Sequence, residues 1–243
     1  MPGAQMNGSV TPPAGEEATA PVAISNIRHR ITFATRKTLA YVSVLELGRI
    51  WERCLRRAGV PVKYSQGYNP RPRMQFAAPL PVGCGSEADL LDIVLEAPQT
   101  PESIAAALAG KTPPDLDVLR VTAVPHDEAA LSEQLFAADY QVWLRDVDAN
   151  TVISAITDFL QADTVIMAKR GRKYRGKTYN LRPLVEDLRI APAPAPWVGL
   201  QMRVTARPGA TGRPDEVLKA LGLAEIPRRC TRLQLHLTGD PFS

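Results

Sequence analysis

One succession of hydrophobic patterns occurs twice along this chain, and that repetition restricts its fold more than any other feature. Arg28 to Ala34 alternates polar and apolar side chains, the period of a half-buried strand. Ser43 to Ala58 carries an apolar stripe of Leu47, Trp51, Cys54 and Ala58 at helical spacing. Ser43 and Glu46 make a capping-box pair at its start, Gly59 suits the left-handed position past its end, and Pro61 blocks continuation. Met74 to Ala78 is extended, Asp89 to Leu95 reads as a strand, Pro101 to Ala109 as a helix capped by Thr100, and Leu116 to Val124 as a fourth strand. The same order then returns. Ala138 to Arg145 is a strand and Asn150 to Leu160 a helix; Thr164 to Ala168 and Trp197 to Ala206 are strands. Pro214 to Leu221 is a helix stopped by Gly222, and Thr231 to Leu237 a last strand.

A βαββαβ order folds into four antiparallel strands with two helices on one face. The expectation is an α+β protein of two tandem ferredoxin-like domains with antiparallel sheets. They would span residues 27–126 and 135–239, the second carrying a basic insertion over 169–196 between its second and third strands. Residues 1–26, rich in Pro, Gly, Ala, Ser and Thr and without apolar periodicity, read as a disordered tail.

That tail lacks the basic start and apolar run of a secretory signal, and nowhere do eighteen apolar residues follow one another, so a cytoplasmic chain with no membrane span is expected. Cys54, Cys84 and Cys230 are odd in number and far apart, which fits reduced thiols and supplies neither a CxxC zinc site nor a CxxxCxxC cluster set. No cofactor or metal is expected. Nothing in the pattern specifies an oligomeric state.

The net charge of +4 is small but unevenly spread. Arg28 to Arg73 holds eleven Lys or Arg against two acids, whereas Ser86 to Gln161 holds three against fourteen. Lys169 to Arg189 carries eight against two, and Leu200 to Arg232 seven against three. Such asymmetry generates local fields that steer anions. In the helix, Arg49, Arg53, Arg56 and Arg57 lie largely off the apolar stripe. The loop that follows, Tyr64 to Arg73, combines Gln66, Gly67, Tyr68 and Asn69 with two arginines, Arg71 and Arg73, beside prolines that stiffen the backbone. Arginine forks suit phosphate oxygens and an exposed tyrosine can stack on an unpaired base. A second candidate is Lys169, Arg170, Arg172, Lys173, Tyr174, Arg175 and Lys177, six basic residues in nine with glycines that leave the backbone flexible. Solvated loops are the bland alternative for both. The RNA reading requires these separated stretches to converge on folding.

Support for catalysis is thin. His29, His126 and His236 are scattered, though the strands of His29 and His236 could become neighbours. Asp89 and Asp92, with Glu87 and Glu96 near, alternate to different faces of a strand and read as a solvated edge. Gly83 to Ala88 leads into a strand without the strand-before, helix-after context of a dinucleotide fingerprint. Asp89 to Leu95 has no aromatic for the stacking platform of an RNA recognition motif. No catalytic residue is assigned.

Several stretches carry a resemblance: Tyr41 to Arg49, Arg56 to Pro61, Tyr64 to Arg73, Pro79 to Gly83 and Ser86 to Asp92, then more weakly Gly176 to Pro183, Arg213 to Leu218 and Pro227-Arg228. In these the chain resembles the bacterial radical SAM-linked protein family of unknown function, whose members are encoded beside, or fused to, a radical SAM protein. The resemblance implies a partner enzyme. The chain departs from the family pattern at Val44, where a His is expected, and at Asn180, where an acid is expected. A fainter, architectural similarity links it to the repeat-associated RNA-binding superfamily that includes CRISPR repeat-processing endoribonucleases, without that superfamily's terminal glycine-rich loop. The leading expectation is a non-catalytic RNA-binding accessory that presents tRNA or rRNA to a separate radical SAM enzyme. The alternatives are a protein adaptor for that enzyme and a metal-independent endoribonuclease.

Overall fold

The structure, a computed structural model, describes residues 27–125 and 127–239. The tail and His126 lie outside the described residues. The first half runs β1 (Arg28–Thr35), a 3-10 turn (Lys37–Tyr41), α1 (Val44–Arg57), β2 (Met74–Phe76), β3 (Cys84–Val94), α2 (Pro101–Leu108) and β4 (Leu116–Ala123). The signals that end the helices are realised. Ser43 Oγ accepts from the Glu46 N–H while the Glu46 carboxylate accepts from the Ser43 N–H, and Gly59 takes φ +67° past the end of α1. Thr100 caps α2.

The second half runs α3 (Leu131–Gln134), β5 (Leu135–Leu144), α4 (Ala149–Gln161), β6 (Ile166–Ala168), β7 (Thr178–Asn180), β8 (Val185–Ala191), β9 (Val198–Arg207), β10 (Ala210–Thr211), α5 (Pro214–Ala220) and β11 (Arg228–Leu237). Here one expectation fails. The strand expected over Thr164 to Ala168 is β6, which pairs only with β7 in a small separate hairpin. The strand that joins the sheet is β8, inside the stretch expected to be an insertion. Its buried residues Val185, Leu188 and Ala191 fall three apart and not two, with a register shift between Val185 and Asp187, so no strand alternation showed in the sequence.

Within each half the pairing follows one scheme. In the first, β1 lies between β3 and β4, and β2 pairs with β3; in the second, β5 lies between β9 and β11, and β8 pairs with β9. The two sets are not separate sheets, as expected, but one mostly antiparallel sheet of nine strands. They join where β11 runs parallel to β3, with Cys230, Thr231 and Arg232 opposite Cys84, Gly85 and Ser86. The physical reason is the shortness of β2. It occupies only Leu91 to Ile93 of the β3 edge and leaves the first residues of β3 with unpaired backbone groups, which β11 satisfies.

The helices of both halves cover the same face of this sheet. Trp51, Cys54 and Leu55 of α1 with Ile104 and Leu108 of α2 pack on Ile31, Phe33, Leu91 and Ile93. Val152, Ile156 and Phe159 of α4 with Val217 and Leu218 of α5 pack on Ala138, Tyr140, Val142 and Met202. The opposite face is polar, and several of its arginines and of those at its rim are neutralised, although Arg120 and Arg229 have no ion pair among the described residues. Arg28 and Arg30 share Asp92 (2.8 Å each), Arg203 holds Asp139 (2.7 Å), Arg36 reaches Glu87 and Asp117, and Arg189 reaches Asp187.

Candidate nucleic-acid interface

On α1, the packing of Leu47, Trp51 and Cys54 against the sheet forces Arg49, Arg53 and Arg56 outward, where all three are exposed. No carboxylate among the described residues makes an ion pair with them. Arg57 differs: its Nη2 donates to the Lys111 carbonyl at 2.6 Å and tethers the end of α1 to the turn after α2.

The proline-rich loop closes on itself next to this helix. Tyr64 and Pro72 form an isolated bridge, the Ser65 N–H donates to the Arg71 carbonyl (2.8 Å), the Arg71 N–H donates to Ser65 Oγ (3.0 Å), and the Arg73 N–H donates to the Lys63 carbonyl (2.7 Å). The Tyr64 hydroxyl donates to Glu52 Oε1 and fastens the base of the loop to α1. Gln66, Gly67, Tyr68 and Asn69 therefore form a tip, with Gly67 at φ +139° and Tyr68 fully exposed. Arg71 and Arg73 emerge from the same loop, exposed and without an ion pair among the described residues. A recess of about 370 Å³ brings Arg56 together with Tyr64 and Pro72, so the end of the helix and the base of the loop adjoin.

The second basic segment forms the turn of the β6–β7 hairpin, closed by the Lys169 N–H donating to the Lys177 carbonyl (2.8 Å), with Gly171 and Gly176 at positive φ. The glycines thus serve the turn's geometry. Its cations divide. Arg170 is held by Asp215 (2.5 Å) and Glu216 (3.2 Å) of α5, while Tyr179 donates to Glu216 at 2.5 Å. Burial, and then that carboxylate, push the Tyr179 phenol well above its usual range. Arg170 thus anchors the hairpin. Arg172, Arg175 and Lys177 stay exposed, and Lys169 lies 5.8 Å from the Tyr174 ring centre. The side chain of Lys173 lies outside the described set. Lys169, Tyr174 and Arg213 line a recess of about 380 Å³.

The continuous trough expected from the sequence is not formed by these contacts: no residue lines both recesses. The acids of the middle stretch do not cover the candidate cations either, since they pair with Arg28, Arg30, Arg36, Arg203 and Arg232. Asp89 and Asp92 do lie on different faces, but the solvated edge is corrected. β3 is interior to the sheet and both carboxylates are buried in ion pairs. His29 and His236 are not neighbours, because β3 separates β1 from β11. Asn180 has a structural duty, its Oδ1 accepting from the Val165 and Arg182 N–H groups.

At the junction of the halves, where the sequence pointed to no site, a cavity of about 720 Å³ opens. One wall is the loop Ala77 to Val82; the other is the β9–β10 turn and the start of α5, with Arg207 and Arg213. Tyr140 and Arg232 also line it. Two arginines flanking the glycine-containing turn Pro208 to Gly212 were the available signal. Their pairing with a loop more than a hundred residues earlier was not legible.

Residues 28–214 match the family described as uncharacterized protein conserved in bacteria (DUF2344). The chain belongs to that family. No curated protein matches this DUF2344 chain. Among solved structures, it is similar to a chain of a Cbf5-Nop10-Gar1 complex, with a TM-score of 0.48 and 9% identity over 85% of this chain and 48% of that one. It is also similar to a chain of the archaeal box H/ACA sRNP Nop10-Cbf5 complex, with a TM-score of 0.45 and 11% identity over 90% of this chain and 51% of that one. An unknown protein from Galdieria sulphuraria gives a TM-score of 0.22 and 15% identity, over 86% and 99%. The DUF2344 chain spans about half the length of the first two. Among its described residues no helix is long and apolar enough to cross a membrane.

Proposed function

We propose that this chain is a non-catalytic, cytoplasmic RNA-binding accessory, built of two ferredoxin-like halves over 27–126 and 135–239, that presents tRNA or rRNA to a separate radical SAM enzyme. The two basic stretches line no common recess, so the RNA reading rests instead on the first of them, through a contrast between two sets of arginines. Arg28, Arg30 and Arg203 on the open sheet face are each held by a carboxylate. Arg49, Arg53 and Arg56 of α1 and Arg71 and Arg73 of the adjoining loop are instead exposed with no ion pair among the described residues, and that loop carries the fully exposed Tyr68. Cations kept apart from internal carboxylates keep their full attraction for phosphates, and an aromatic among them adds a stacking face. The enzyme partner follows from the sequence resemblance.

A second reading, the protein adaptor, is favoured by exposed Tyr41, Leu45 and Val82. They come from segments that the Gly83 N–H to Ala40 carbonyl bond (2.7 Å) draws together, and such a patch suits a protein partner. Fluorescence anisotropy of total tRNA and rRNA fragments at stepped salt tests the first reading. Binding that weakens steeply with salt is expected, and no binding at low salt ends it. Co-purification of an enzyme that survives nuclease treatment selects the adaptor.

A further inference from the structure

The cavity at the junction has the volume of a ligand pocket, within the range of about 300–1,000 Å³ usual for such sites. Its lining is divided by chemistry. The interior is apolar or aromatic, with Ala78, Leu80, Leu135 and Tyr140. Arg232 contributes no available charge, because each of its five N–H groups already has an acceptor: Asp89 Oδ1 and Oδ2, the Ala78 and Pro79 carbonyls and the Tyr140 hydroxyl. Tyr140 is 5% exposed and accepts from Arg232, and no acceptor among the described residues takes its hydroxyl proton. A buried donor is thus left for a ligand. The available charge is in Arg207 and Arg213, both exposed and without an ion pair among the described residues, and in Arg228, whose side chain donates to the Ala224 carbonyl and makes no ion pair among the described residues.

An apolar interior with a donor at Tyr140 and guanidinium groups exposed beside it fits a molecule with a flat, largely apolar part that accepts a hydrogen bond and an anionic part that stays outside. Arg170, Thr211 and Arg213 also line the recess of the basic hairpin, so a strand lying on the hairpin passes the cavity. We propose that the junction cavity receives one nucleotide, base inward against Tyr140 and the loop Ala77 to Val82, phosphate at Arg207 and Arg213. The nucleotide is either an unpaired residue of a bound RNA, which deepens the function proposed above and rests on it, or a free nucleoside monophosphate.

The test has two arms on the full chain. UMP and AMP are titrated calorimetrically, and a labelled single-stranded RNA is titrated by anisotropy. Both are repeated with the double variant Arg207→Ala/Arg213→Ala, with Leu80→Trp to fill the cavity, and with Arg71→Ala/Arg73→Ala on the distant loop; circular dichroism checks each fold. The double arginine variant and Leu80→Trp should each weaken binding about tenfold in whichever arm shows it, and the loop variant should weaken the RNA arm alone. Binding of RNA alone, weakened by the cavity variants, assigns the site to a residue of the strand. Mononucleotide binding without RNA binding assigns it to a free nucleotide and ends the RNA reading. If RNA affinity falls with the loop variant but not with the cavity variants, and neither mononucleotide binds, the cavity proposal is overturned while the RNA reading stands. Binding in neither arm overturns both.

Discussion

Arg232 and Asp89, 143 residues apart in the chain, meet in a buried bidentate ion pair across the seam between the halves, with Nε and Nη2 each 2.7 Å from a carboxylate oxygen. The pair faces the core beside Tyr140, and the guanidinium also binds the loop carbonyls of Ala78 and Pro79. One side chain of β11 therefore fixes β3, β5 and the cavity wall together.

Arg232→Met strands the Asp89 carboxylate in the core and should cost about 3–5 kcal/mol, read as a lower midpoint in urea denaturation. Replacing both partners by apolar residues, Arg232→Met with Asp89→Leu, should recover much of that loss, since no buried charge is then left alone. A single variant as stable as the wild type would show that the pair does not hold the seam.

His29 is fully buried on β1, its Nε2 3.0 Å from the Gln99 carbonyl and its Nδ1 without a partner among the described residues. It is therefore neutral, with the proton on Nε2. Burial lowers its pKa, and the Gln99 carbonyl only partly opposes that. The unfolded chain then takes up a proton first as pH falls below about 6.5. Stability from this site is complete above that pH and declines below it toward the depressed folded value. Thermal melts between pH 8 and pH 5 should fall more steeply for the wild type than for His29→Gln. Parallel curves would remove the claim.

The three cysteines should report the seam. Cys84 and Cys230 are opposite residues of β3 and β11, and the contact with Cys230, then burial, push the Cys84 thiol far up. Cys54 is buried in α1, and only Cys230 is partly exposed. Native protein should therefore show one slowly reacting thiol toward Ellman's reagent and three after unfolding. A fast reaction at Cys84 in native protein would mean that the seam opens.

The RNA interface predicts a change in salt dependence as well as in affinity. Changing Arg53, Arg56, Arg71 and Arg73 to Ala should reduce the slope of log K against log salt by about 0.7 for each phosphate of a single strand that is no longer neutralised. Arg36→Ala should leave it unchanged, because Glu87 and Asp117 already hold that side chain. Equal effects of the two would assign the binding to overall charge and not to this surface.

The local grammar of the chain was readable. The Ser43 and Glu46 box, Gly59, Thr100 and Gly222 placed helix ends nearly where they occur, and the outward direction of Arg49, Arg53 and Arg56 followed from the packed stripe. What escaped the sequence was every relation set by distant pairing. Cys84 and Cys230 are register partners though far apart in the chain, Arg170 is consumed by α5, and β8 was hidden within a basic stretch. Periodicity reports which face a residue takes, whereas the neighbour it meets there depends on which strand docks at each edge.

Because β11 completes the edge of β3, the middle of the sheet is its last described strand in order of synthesis. A nascent chain on the ribosome can assemble β1 to β4 early, but the start of β3 and the Asp89 carboxylate wait for residues 228–237 to emerge. Until then that edge is an open template for other chains. Shielding during translation should accordingly matter more for this protein than for one whose two units close independently.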